Sequence, residues 1–252
     1  VEKPKIIVAC NDDLGVKKIL KDKKIVTYGK TSKADYYYHD VKHTKSGLTF
    51  IITHADSNYH ISSPMLGRFN AENITGSFAM AMEIGIKPKI IIQAIKDFKG
   101  IKRRFEKRFE GDVTVMDCHA PTAEKATSII ESLKEIYDKK ILAVYEPNIG
   151  GRQKSSAHMY DGAFKDADMV IIPHLTKLKV AEGDIERPME GQELTQTIGK
   201  THKNVVYVED DTELVNVLIN TVKKDDVIVF LGSHGFRGMI EGTITSLRQQ
   251  SL

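Results

Sequence analysis

Four short polar clusters hold the residue types that bind anions and move protons. They are Asp117-Cys118-His119, the stretch from Glu146 to Arg152, residues 174–177 starting at His174, and Ser233-His234-Gly235. Each follows a short apolar run that reads as a strand. In open α/β sheets the ligand crevice lies at the carboxyl ends of the strands, so four such clusters on one edge point to a site. Taken singly they stay open. Asp117 suits hydrogen bonds from a ribose hydroxyl, or the N-terminus of a helix, where the dipole favours a carboxylate. His119 suits a carboxylate or phosphate, or a plain surface position before a helix. Gly150-Gly151-Arg152 can set backbone N–H groups and a guanidinium around an anion, or form a turn with a solvated arginine. Residues 232–238 are glycine-rich, but their spacing matches no nucleotide fingerprint. Residues 102–108 hold five basic side chains in seven positions, suited to a polyphosphate or to a solvated linker. No general base stands beside Cys118, which argues against a thiol nucleophile, and Cys10 is expected in the core.

Elements of two kinds must position these groups. Residues 6–10 read as a buried strand ending in the polar turn Asn11-Asp12-Asp13. Short strand candidates at 25–28, 36–40, 48–52 and 59–62 are spaced closely enough to predict an antiparallel ribbon. The spacing of Ile74, Phe78 and Met82 predicts a helix over 67–85, and Pro88 opens a second, ended by Gly100. Beyond residue 100, strands at 113–116, 141–145, 169–172, 205–208 and 227–231 alternate with helices at 121–137, at 156–164 and after a capping box at Asp210-x-x-Glu213. This alternation implies a doubly wound, mostly parallel sheet. The boundary is set near 102, giving domains 1–101 and 102–252.

The bulk properties exclude several classes. A chain of 252 residues, 41% hydrophobic, can bury a core or two, and its 37 basic against 34 acidic residues give a charge of only +3. That excess suggests neither a nucleic-acid partner nor a membrane surface, and no apolar run is long enough to insert into a bilayer. Two cysteines exclude a disulfide scaffold and a four-cysteine zinc site, and a reducing cytoplasm is the simplest compartment. No phosphate loop of the GxxxxGK[ST] type occurs.

Several segments together resemble the Mur ligase superfamily of ATP-dependent amide ligases. Asn11-Asp12-Asp13 is similar to a turn in its central ATPase domain, as is Tyr28-Gly29 with Ala34-Asp35-Tyr36. The run from Gly67 to Asn73 matches its G-x-[FH]-N-x-x-N signature. Phe98 to Glu106 resembles its F-x-G-x-x-x-RFE join between domains, and Asp117-Cys118-His119-Ala120-Pro121-Thr122 resembles the first loop of its C-terminal domain. The matches run in order from residue 5 to about 240. The join and the loop from Tyr145 to Arg152 resemble the branch that adds alanine or a tripeptide. Asn148 and Ile149 stand where that loop has His and Arg, and the paired histidines after Asp117 are missing.

The resemblance implies a fold: the C-terminal portion of a central ATPase domain, then a Rossmann-like domain. It implies that the chain is the C-terminal part of a longer enzyme and is inactive alone, with the phosphate-loop lysine and the Mg2+ ligands upstream. The implied reaction joins an amino acid or peptide to a UDP-N-acetylmuramate-type carboxylate through an acyl phosphate, at the expense of ATP, in peptidoglycan synthesis or recycling. Asn70 and Asn73 would meet the adenine, and Asp117 the ribose or adenine edge. Arg104 would reach the γ-phosphate across the domain cleft, while Arg103 would tolerate lysine. His119, Asn148 and Arg152 would place the amine substrate's carboxylate. The competing expectations are a folylpolyglutamate-type ligase of the same superfamily and a non-catalytic nucleotide-binding module. A nicotinamide-dependent dehydrogenase is disfavoured because no GxGxxG follows the first strand of the second domain.

Overall fold

Alternating burial builds the first of two units, Val1–Gly100 and Ile101–Leu252. The computed structural model describes residues 5–19, 25–176 and 187–250. In the first unit β1 (Val8–Cys10), β2 (Val26–Gly29), β3 (Tyr36–Thr44), β4 (Gly47–His54) and β5 (Ser57–Ser63) form one sheet in that order. Tyr36, Tyr38, Leu48, Phe50, Ile52 and Ile61 point to one face. There they pack under Ala71, Ile74, Phe78 and Ala79 of α2 (Phe69–Glu83) and Ile91 of α3 (Pro88–Asp97). The β3–β4 turn ends on Gly47 at φ +126°, where any side chain would run into the Ser63 carbonyl. The β4–β5 turn places both Ala55 and Asp56 in the left-handed region, the twist a two-residue hairpin needs.

The ribbon is antiparallel only over β3–β4–β5; β2 pairs parallel to both β1 and β3. Two carboxylates explain the difference. Asp35 takes both the N–H and the hydroxyl of Thr27 at 2.7 Å, and Asp12 takes the Lys30 N–H at 2.6 Å. These bonds fix the chain between β2 and β3 in a return bend rather than a hairpin. The polar turn after β1 leads into a short helix, α1 (Leu14–Ile19), which has no apolar periodicity to betray it.

The second unit is a six-stranded sheet in the order β10-β9-β8-β11-β7-β6. Its strands are β6 (Glu106–Glu110), β7 (Thr114–His119), β8 (Ile141–Glu146), β9 (Met169–Pro173), β10 (Val205–Val208) and β11 (Val227–Gly232). All pairings are parallel except that of β6 with β7. Strands β8 and β11 are buried along their whole length, as continuous apolar runs inside a doubly covered sheet must be. Helices α6 (Asp211–Thr221) and α7 (Met239–Gln250) cover one face, with Leu214, Leu218, Ile240 and Ile244 on Val115, Val144, Ile171 and Phe230. The other face carries α4 (Ala123–Lys134), and there the Tyr145 ring meets Tyr160 and Phe164 edge-on. α5 (Gly191–Gly199) joins β9 to β10.

Four elements differ from expectation. Residues 156–164 do not form an α-helix; a 3-10 segment, Lys154–Tyr160, runs into them after a shorter one at Gly150–Arg152. Local bonds tighten them, from Ser156 Oγ to the Gly150 carbonyl (2.8 Å) and Tyr160 OH to the Gly151 carbonyl (2.6 Å). The basic stretch is no linker, since its second half is β6. Asp210 caps α6 by accepting the Glu213 N–H at 2.8 Å, while the reciprocal box falls at Glu190 and Glu193 on α5. Cys10 is partly exposed, not core. Among the described residues no helix is long and apolar enough to cross a membrane.

Candidate functional site

Three strand ends stand level at the carboxyl edge of the second sheet. Gly232 of β11 pairs with His119 of β7 on one side and with Glu146 of β8 on the other. The chain leaving β11 runs to α7 on one face, whereas the chain leaving β7 runs to α4 on the other. Neighbouring parallel strands thus send their connections to opposite faces, the geometry that opens a crevice in such sheets. The loops are tied together through their backbones. Ala120 N–H donates to the Gly232 carbonyl (3.2 Å), Asn148 N–H to Pro121 (3.0 Å) and His119 N–H to Arg103 (2.6 Å).

The two adjacent arginines have opposite fates. Arg103 turns inward. Its Nε donates to Asp117 Oδ1 (3.2 Å), Nη1 to the Ser233 carbonyl (3.1 Å), and Nη2 to those of Gly232 (3.0 Å) and His234 (2.8 Å). Arg104 is exposed and has no ion pair among the described residues. Both its neighbours are left-handed, Arg103 at φ 58° and Phe105 at φ 52°. Such a conformation costs a non-glycine residue roughly 1–2 kcal/mol. It is held by the buried Phe105 ring, only 7% exposed, and by the bonds of Arg103. Strain of this kind gathers where a side chain must be aimed, and here it delivers Arg104 outward.

Asp117, at the end of β7, is buried, and Arg108 also approaches it at 3.7 Å. Burial holds its carboxyl above the ordinary range, against the opposing pull of Arg103. His119 follows it, and burial together with the Arg103, Arg104 and Lys125 charges lowers its pKa. A neutral imidazole donates one hydrogen bond and accepts another but adds no positive charge. Cys118 is fully buried and its thiol is pushed up to about 12, so it stays protonated.

Asn148 faces its own loop, its Oδ1 accepting the Gly151 N–H at 2.9 Å. Arg152 departs from its expected role. Its buried guanidinium donates to the carbonyls of Met189 (3.0 Å) and Thr176 (2.9 Å) and lies 3.4 Å from Glu190. It ties three segments of its own chain and presents no open face to a substrate carboxylate. Of residues 174–177, Lys177 lies outside the described residues.

A pairing that the sequence did not reveal completes the edge. Glu146 is buried, and its Oε1 accepts both the N–H and hydroxyl of Thr176 (3.0 and 2.6 Å). Arg237 reaches Glu146 Oε2 at 3.2 Å, Asp211 through two nitrogens at 2.9 Å, and the His174 carbonyl at 2.8 Å. A carboxylate ending a wholly apolar strand demands a cation; the sequence shows the need but not which arginine meets it.

In the first unit Asn70 is buried near the start of α2, its Nδ2 bonded to the Leu66 carbonyl (2.6 Å) and its Oδ1 to Asn73 Nδ2 (3.0 Å). Asn73 is exposed, with its Oδ1 left as acceptor. Cys10, Asp12 and Glu72 bring possible ligand atoms within 4.8 Å of one another. A thiol suits a hard cation such as Mg2+ poorly, and Asp12 already holds the Lys30 N–H, so this group does not fit one.

Residues 103–234 match the family described as Mur ligase, glutamate ligase domain, and residues 1–81 match the Mur ligase middle domain. The UDP-N-acetylmuramate–L-alanine ligase of Persephonella marina is 31% identical over 250 residues, covering 96% of this chain and 51% of that protein. The structure of the UDP-N-acetylmuramate–alanine ligase of Thermotoga maritima matches with a TM-score of 0.76 at 20% identity, over 98% of this chain and 52% of that one. A murein peptide ligase from Psychrobacter arcticus matches with a TM-score of 0.64 at 20% identity, over 96% and 51%. At such identities the structural likeness speaks for the fold alone. The chain spans about half the length of the curated relatives it matches.

Proposed function

The chain belongs to the Mur ligase family, and from that premise we propose that it serves an ATP-dependent amide ligase of peptidoglycan metabolism, working in the cytoplasm. The reaction joins an amino acid or peptide to a UDP-N-acetylmuramate-type carboxylate. That carboxylate attacks the γ-phosphorus of ATP, giving an acyl phosphate and ADP. The amine then attacks the acyl carbon, and phosphate leaves.

One observation carries the reading most: an uncommitted arginine, Arg104, held outward by strained neighbours beside a buried Asp117. Phosphoryl transfer is catalysed by positioning and by cations placed where charge builds up. Arg104 supplies such a cation, with both edges of its guanidinium available for a phosphoryl group. Asp117 accepts from the nucleoside through its Oδ2, which Arg108 approaches only to 3.7 Å. Asn73 accepts from the adenine amino group, and Asn70 fixes the Asn73 amide. His119, uncharged, orients the incoming amine substrate by a hydrogen bond, and Asn148 shapes the loop beside it. Arg152 positions that loop rather than touching substrate. Mg2+ supplies charge neutralisation on the phosphates when bound; the described residues offer it no suitable set of ligands, and no step is assigned to it.

The test is amine-dependent phosphate release by a ligase carrying this chain, given ATP and either UDP-N-acetylmuramate or a folate acceptor. L-alanine, a murein tripeptide and glutamate are supplied one at a time. Release that needs both the UDP-linked carboxylate and one of the first two amines supports the reading. Release that needs a folate acceptor and glutamate instead assigns the chain to the folylpolyglutamate-type alternative.

A further inference from the structure

Arg103 gathers acceptors from two strand ends at once. One is the Asp117 carboxylate at the end of β7; the others are three successive carbonyls, of Gly232, Ser233 and His234, on the chain leaving β11. Its backbone is bound as well, its N–H donating to Glu106 Oε2 (2.8 Å) and its carbonyl accepting from His119 (2.6 Å). Four of the five guanidinium N–H groups are thereby used. In a trans peptide the N–H points opposite to the C=O. Turning the carbonyls of Ser233 and His234 onto Arg103 therefore turns the N–H groups of His234 and Gly235 away from it. Both of those residues are exposed.

We propose that Arg103 is a positioning residue: it presets the Asp117 carboxylate and the direction of the amide dipoles in the loop after β11, so that both face the ligand already formed. This deepens the function proposed above and rests on it for the identity of the ligand. The geometry of the clamp itself is independent of that identity. Contrary to the expectation from the sequence that Arg103 would tolerate lysine, a lysine cannot replace it. An ammonium is a point charge with three donors, and it cannot span a carboxylate and three carbonyls spread over two strand ends. Without the guanidinium the three carbonyls lose their common partner, and Asp117 keeps only Arg108, at 3.7 Å, as a cation beside it, with Glu106 opposing.

The test uses the 252-residue chain, the Arg103→Lys and Arg103→Gln variants, and NMR. In the wild type, the Arg103 Nε–H is expected as a slowly exchanging signal, which needs no variant. In both variants the amides of Ser233 and Ala120, which donate to the Glu146 (3.4 Å) and Gly232 (3.2 Å) carbonyls, should exchange at least about tenfold faster, while those of β8 and β9 keep their wild-type protection. The Asp117 carboxyl should titrate at a higher pH than in the wild type. A merely structural stabiliser would loosen the whole sheet and leave the Asp117 titration in place. Wild-type exchange at Ser233 and Ala120 together with an unmoved Asp117 titration in Arg103→Lys overturns the proposal, and so does uniform loss of protection across the sheet. Titration with ADP then separates this from the functional reading. An intact clamp with no ADP-induced shift at Asp117 or His119 counts against the ligand, not against the positioning.

Discussion

Arg103 and Arg104 are adjacent, of one type, and opposite in use. If Arg104 contacts the transferred phosphoryl group mainly in the reacting complex, its loss falls on kcat more than on KM. Arg104→Lys in a ligase carrying this chain is expected to lower kcat at least about tenfold, roughly 1.4 kcal/mol of barrier; near-wild-type turnover contradicts the role. Steady-state kinetics decide it. The same charge bears on His119, whose pKa is lowered by burial and by Arg103, Arg104 and Lys125. A histidine with a depressed folded pKa contributes stability that is present above its unfolded pKa and is lost as pH falls through the folded value. By NMR titration His119 should ionise below the ordinary histidine range, and Arg104→Gln should raise that value; no change would remove Arg104 from its surroundings. For Asp117 the sign is reversed. Its folded pKa is raised, first by burial, so its contribution is full below the unfolded carboxyl range and is lost as pH rises through the folded value. The stability of Asp117→Asn relative to wild type, followed by urea unfolding, should therefore improve as pH rises from acid toward neutral.

At the scale of elements, α2 lies on β2 through a missing side chain. A Cβ on Gly76 would stand 2.8 Å from the Tyr28 ring. Gly76→Ala should cost the first unit about 1–3 kcal/mol as the ring is displaced, despite alanine's better helix propensity; a rise in melting temperature would show that the ring yields freely. Elements with strong periodicity were legible. The apolar strands β7, β8, β9 and β11 and the helices α2, α3 and α4 followed from their patterns and from Pro88 and Gly100. Elements defined by polar groups were not. α1 has no apolar stripe, β6 hides inside a basic run, and the return bend at β2 depends on where the Asp12 and Asp35 carboxylates end up. Of the site, the clusters at the strand ends were legible because strand ends are. The commitment of Arg103 and Arg152 to backbone carbonyls was not, since residue type says what a guanidinium can bind but not whether its own chain claims it first.

At the scale of the molecule, each unit has its own buried core. The Gly76→Ala loss should accordingly leave amide protection in β8, β9 and β11 unchanged, as read by hydrogen exchange; loss there too would mean the units unfold together. Function at this scale rests on the chemistry that links a carboxylate, ATP and an amine. Oxygen transfer from that carboxylate to phosphate tests it most directly. A ligase carrying this chain is supplied with UDP-N-acetylmuramate labelled with heavy oxygen in its carboxylate, together with ATP and the amine. Through an acyl phosphate, one labelled oxygen leaves in the released phosphate for every amide bond formed. Amide formation with unlabelled phosphate would contradict acyl-phosphate chemistry and with it the role given to Arg104.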